Sequence, residues 1–152
     1  MKILLIEDEE HKRAAIAQQV RECIGEELVL VECESLRGGL RAIISNEQFD
    51  LILLDMSMPG FDSSDKNSAF EEPESFAGKE ILAQMKFREI YTPVIVVTQY
   101  KAFARGTIGL EDLAAICSEE FPGIFEGAIY YSTVVDSWKK DLLDAIQRTR
   151  KC

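Results

Sequence analysis

The feature that most constrains this chain is the alternation of short, continuous apolar runs with longer segments of helical periodicity. Runs at Ile3 to Ile6, Leu28 to Cys33, Leu51 to Leu54, Val94 to Thr98 and Ala128 to Val134 read as strands. Between them, helices are expected from about Glu10 to Ile24, from Ser35 through Ile44, from about Gly78 to Ile90, from Leu110 to Ser118 and from Ser137 to Arg150. In the first helix Ala14, Ala15, Ile16, Val20 and Ile24 are expected to share the inward face. Ser35 is the expected N-cap of the second, in which Gly38-Gly39 is unfavourable for a helix. Strands this rich in Ile, Leu and Val have no solvated face, so helices must cover both sides of the sheet. The predicted class is α/β: a doubly wound, five-stranded parallel sheet.

With 152 residues, the chain has the length of one domain with a core of its own. One stretch breaks the short connections expected of such a fold. Residues 61–75 contain Asp62, Asp65, Glu71, Glu72 and Glu74 against a single Lys66, with Pro73 among them, and read as an inserted acidic loop. A smaller elaboration is expected within about 100–127. No apolar run approaches the length of a membrane span. The four cysteines are scattered, without CxxC spacing, and suit a reducing cytoplasm rather than a zinc site. A formal charge of −10 argues against direct nucleic-acid binding, which needs clustered Lys and Arg.

In an open parallel sheet, ligands bind beyond the carboxyl ends of the strands. The first strand ends in Glu7-Asp8, the third in Asp55 and the fourth in Thr98. Three carboxylates meeting there would repel one another by several kcal/mol unless a cation or proton relieved them, and hard oxygen donors favour magnesium or calcium. The plainer alternative is that each acid caps a helix. It is preferred for Glu9 and Glu10 and is weaker for three acids at strand ends.

These residues resemble the receiver domains of two-component response regulators. Ile3 to Glu9 looks like that family's first strand and acidic pair, and Leu53-Leu54-Asp55-Met56-Ser57-Met58-Pro59-Gly60 like its phosphorylation strand and following loop. Thr92 to Thr98 resembles its fourth strand and switch hydroxyl, and Gly127 to Tyr131 the start of its fifth. The resemblance implies the flavodoxin-like receiver fold. It also implies that Asp55 accepts a phosphoryl group from a histidine kinase or phosphotransfer protein. Asp8 and Asp55 would hold Mg2+, assisted by Glu7 and the Ser57 carbonyl, with Thr98 and Tyr131 as the switch pair. The implied downstream protein partner docks on the face of the fourth helix, fifth strand and fifth helix; homodimerisation is left open. No enzymatic activity is implied beyond self-phosphorylation from small phosphodonors and autodephosphorylation.

One departure stands out. The family's fifth strand ends in Lys-Pro, whereas alignment on Tyr131 puts Val134 in the lysine position. Loss of a charge-assisted hydrogen bond of about 1.5 to 3 kcal/mol would slow phosphorylation or uncouple the switch. Lys101, three residues past Thr98, is the candidate substitute, but a solvated lysine is the simpler expectation. The rival readings are a pseudo-receiver that binds a partner without phosphorylation and, from the enzyme class, a magnesium-dependent phosphohydrolase. Against the latter, Ser57 stands where those enzymes carry a second aspartate.

Overall fold

The computed structural model describes residues 1–45, 47–56, 77–99, 102–103 and 108–150. In chain order the elements are β1 (Lys2–Ile6), α1 (Glu10–Ile24), a short 3-10 turn (Gly25–Glu27), β2 (Val29–Cys33), α2 (Leu36–Ile44), β3 (Leu51–Leu54) and α3 (Ala77–Phe87). Then follow β4 (Val94–Thr98), β5 (Ala102–Phe103), β6 (Ile108–Gly109), α4 (Leu110–Glu120), β7 (Phe125–Tyr130) and α5 (Ser137–Arg150). Five strands form one parallel sheet in the order β2-β1-β3-β4-β7, the doubly wound arrangement expected. The two-residue β5 and β6 pair antiparallel as a separate two-stranded sheet.

Side-chain alternation along the central strands divides the core in two. Leu4, Ile6, Ile52, Leu54, Val94 and Val96 face Ile43, Ile81, Leu82, Met85, Leu113 and Cys117 of α2, α3 and α4. Ile3, Leu5, Leu51, Leu53, Ile95 and Val97 face Ile16, Val20, Trp138, Leu142 and Ile146 of α1 and α5. β1, β3 and β4 are buried on both faces, while the edge strands β2 and β7 are partly exposed. Among the described residues, no helix is long and apolar enough to cross a membrane.

Several boundaries differ from expectation for identifiable reasons. The last strand runs from Phe125 to Tyr130 rather than from Ala128 to Val134. A register shift between Val94 and Ile95 places Val94 opposite Phe125 and Ile95 opposite Gly127, so Glu126 is the extra residue of a bulge that hides the strand's start. Its end is set by Ser132, whose hydroxyl accepts from the Val134 and Val135 N–H groups and folds the backbone into a local turn. The third helix stops at Phe87 because Glu89 is left-handed (φ 58°) and the Ile90 and Glu89 N–H groups return to the Met85 and Lys86 carbonyls.

Ser35 caps α2 as expected, accepting from Gly38 N–H at 3.0 Å. Gly39 is tolerated in that helix for a packing reason: a Cβ there would lie 2.6 Å from Ile6 Cδ1. On the inward face of α1, Ala15, Ile16, Val20 and Ile24 pack into the core as expected, and Ala14 and Lys12 are the corrections. Ala14 is exposed, and the buried residues are Lys12, Ile16, Ala17 and Val20. The insertion at 61–75 lies outside the described residues, as do Ser57 and Lys101.

Candidate functional site

β1 and β3 are neighbours, and helices leave their carboxyl ends toward opposite faces of the sheet, which opens the crevice characteristic of a doubly wound fold. Both acids beyond these ends continue the sheet's hydrogen bonding: Glu7 N–H donates to Cys33 O at 2.9 Å, and Asp55 N–H to Ile6 O at 3.0 Å. Glu7 and Asp55 are buried and Asp8 is exposed. Carboxylate oxygens of Glu7, Asp8 and Asp55 all lie within 4.8 Å of one another. The three acids singled out in the sequence therefore meet. Glu9 does not join them as a ligand. It caps α1, its carboxylate accepting from the His11 and Lys12 N–H groups, while its own N–H donates to Glu7 Oε2 at 3.1 Å.

Lys12, which the sequence did not single out, is the unexpected member. It sits in the first turn of α1 with its side chain 1% exposed. Its ammonium donates to Val97 O at 2.8 Å, forms an ion pair with Glu7 Oε1 and stands 3.3 Å from Asp55 Oδ1. The lysine thus reaches the end of β4 and links three strand ends. A signal for it existed: Lys12 precedes Ile16 by four residues and Val20 by eight, so it lies on the buried stripe of α1.

Burial first, and the nearby Asp55 charge second, push the Glu7 carboxyl up to about 8 against the opposing pull of Lys12. The cluster is short of positive charge. When all three acids are ionised, three carboxylates against one ammonium leave an excess of two negative charges, which a divalent cation would offset in place of a proton on Glu7. The donors are all carboxylate oxygen, with Asp8 on the solvent side, and this set suits a hard cation that keeps part of its hydration shell. The residues present fit magnesium.

Thr98 is fully buried at the end of β4, and its carbonyl accepts from Tyr131 N–H at 2.8 Å. The Tyr131 ring is buried against Trp138, with centroids 4.9 Å apart, and lies 5.9 Å from the Lys12 ammonium. Burial, followed by the Glu9 charge, raises the Tyr131 hydroxyl above its ordinary pKa. Val134 is 89% exposed in the turn after Ser132. A surface cleft of about 550 Å³ at the opposite end of the sheet, lined in part by Phe49, Ile52, Ile90 and Tyr91, includes none of the three acids.

Comparison with known proteins identifies the family and the fold. The chain is 31% identical over 149 residues to the Detocs response regulatory protein DtcB of Enterobacter cloacae (strain JD6301), an alignment covering 96% of this chain and 98% of that protein. It belongs to the response regulator family. Among solved structures, a response regulator receiver domain protein from Clostridium thermocellum superposes with a TM-score of 0.63 at 22% identity, covering 97% of this chain and 92% of that one. A CheY-like receiver domain protein from Methanospirillum hungatei JF-1 gives 0.60 at 22% identity, covering 97% and 90%. At that identity the structural likeness speaks for the fold alone. No family model matches the chain. The receiver fold and the family resemblance drawn from the motifs both stand.

Proposed function

We propose that this receiver is a phosphoacceptor in two-component signalling, with Asp55 as the accepting carboxylate and Mg2+ as the required cation. The observation that carries the reading is the convergence of Glu7, Asp8 and Asp55 around a buried lysine at the β1–β3 crevice. Transfer from a phosphohistidine would form a bond between an Asp55 oxygen and phosphorus as the phosphorus–nitrogen bond breaks. The electron pair leaves with the imidazole nitrogen, which takes up a proton. Magnesium, when bound, neutralises carboxylate charge that would otherwise repel the incoming phosphoryl oxygens.

Asp8 and Asp55 are the proposed direct ligands, with Glu7 assisting. The Ser57 carbonyl is proposed from the family resemblance alone. Thr98 and Tyr131 are the proposed switch pair, supported by their backbone hydrogen bond and by the burial of the Tyr131 ring beside Trp138. A histidine kinase or phosphotransfer protein is the proposed donor, and α4, β7 and α5 form the proposed output face. The pseudo-receiver alternative rests on Val134, and the position of Lys12 weakens that argument.

Acetyl phosphate with Mg2+ tests the reading. Mass spectrometry of the whole chain should show the gain of one phosphoryl group, abolished in Asp55→Asn. No gain in the wild-type chain from acetyl phosphate or phosphoramidate would refute it.

A further inference from the structure

We infer that Lys12, from the first turn of α1, is the cation that pairs with the phosphoryl group on Asp55, a role that rests on the proposed phosphorylation of that residue. The argument starts from the donors on its ammonium. A lysine carries three; here one is donated to Val97 O, and the ammonium lies in ion-pair range of Glu7 and Asp55. Val97 O and Glu7 are anchors on β4 and β1 that hold the nitrogen in place. Asp55 is the carboxylate on which new charge appears.

Phosphorylation removes the negative charge of the Asp55 carboxylate and places about −1.5 to −2 charges on three phosphoryl oxygens beyond it. The ammonium stands 3.3 Å from Asp55 Oδ1, within ion-pair range of the group on which that charge is placed. Burial strengthens the pairing because little water competes for the ammonium. Val134 stands at the equivalent place, and residues 131–136 after β7 contain no lysine or arginine. The pairing cation therefore comes from the helix that follows the acidic pair rather than from the strand at the sheet's edge.

The test separates metal binding from phosphoryl pairing in the full chain. Mg2+ affinity and beryllofluoride affinity in saturating Mg2+ are measured by titration, and phosphoryl uptake from acetyl phosphate by mass. Lys12→Met should bind Mg2+ at least as well as wild type, because a competing positive charge is gone, while beryllofluoride affinity and uptake rate fall by roughly ten- to a hundredfold. Lys12→Arg, which keeps the charge, should retain more of both than Lys12→Met, and Lys140→Met, at an exposed position, should match wild type. If Lys12→Met is too unstable to assay, Lys12→Gln replaces it with the same expectation.

Wild-type uptake matched by the neutral Lys12 variants would overturn the inference and leave the phosphoacceptor reading intact. No uptake and no beryllofluoride binding by the wild type would overturn both. An equal loss of Mg2+ affinity and phosphoryl uptake in the neutral variants would also overturn the inference, since it would mark Lys12 as a support of the whole site.

Discussion

Replacing Lys12 by methionine isolates the charge of this residue, because methionine keeps most of the buried stem and leaves little cavity. In the folded chain the ammonium is 1% exposed, paired with Glu7 and 3.3 Å from Asp55. At that separation and an effective dielectric of about 20, one unit-charge pair interacts by about 5 kcal/mol. Removing one partner of a buried ion pair costs about 3 to 5 kcal/mol, since the remaining charge stays desolvated. Glu7 limits the damage: its carboxyl is already pushed up to about 8, so proton uptake relieves the orphaned charge at lower pH. The expected loss without metal is therefore about 3 kcal/mol near pH 9 and about 1 kcal/mol near pH 6. For a domain of this size the larger figure corresponds to roughly 6 to 12 °C in Tm. Urea melts at both pH values, with unchanged slopes as the check on two-state behaviour, measure it. A variant within about 0.5 kcal/mol of wild type near pH 9 would refute the claim that Lys12 compensates the buried acids. A loss independent of pH would assign the cost to packing.

Three further expectations follow from the same geometry. Glu7→Gln mimics the protonated acid. Because the folded carboxyl titrates at about 8 rather than its ordinary 4.5, the folded state holds the proton longer, so metal-free wild type should lose stability relative to this variant as pH rises between those values. The slope should approach about 1.4 kcal/mol per pH unit in paired urea melts, and parallel pH profiles would contradict the burial argument. Mg2+ should raise the Tm of wild type by mass action and lose most of that effect in Asp8→Ala, whereas equal shifts in both proteins would sink the shared site. Gly78→Ala should cost about 1 to 3 kcal/mol, since the new Cβ would lie 2.7 Å from Asp55 O and 2.9 Å from Met56 Cα. Gly39→Ala should cost less, because its Cβ meets the movable end of Ile6; the reverse order in thermal melts would overturn this reading of the two contacts.

What could be read in the sequence follows from which physical constraint each residue answers to. β1, β3 and β4 are buried on both faces, so their apolar runs are continuous and the acids ending them are conspicuous. This made Glu7, Asp8 and Asp55 legible as a cluster before any coordinates. The edge strand β7 carries exposed Glu126 in a bulge, and its apolar pattern shifts within the strand, which displaced the expected boundaries. Lys12 was obscured for a deeper reason. In an amphipathic pattern a lysine interrupts the apolar face, and Ala14 and Ala15 fit that face better, although Ala14 is exposed. A charge belongs on a buried stripe only where opposite charge waits at the end of it, and that is a tertiary fact. Glu7 and Asp55 come from strands adjacent in the sheet but 48 residues apart in the chain, and only their meeting makes burial of the ammonium tolerable. The same condition explains why the exposed Val134 position can dispense with a cation. Once α1 delivers a cation to Glu7 and Asp55, the solvent-exposed turn after β7 need not supply one.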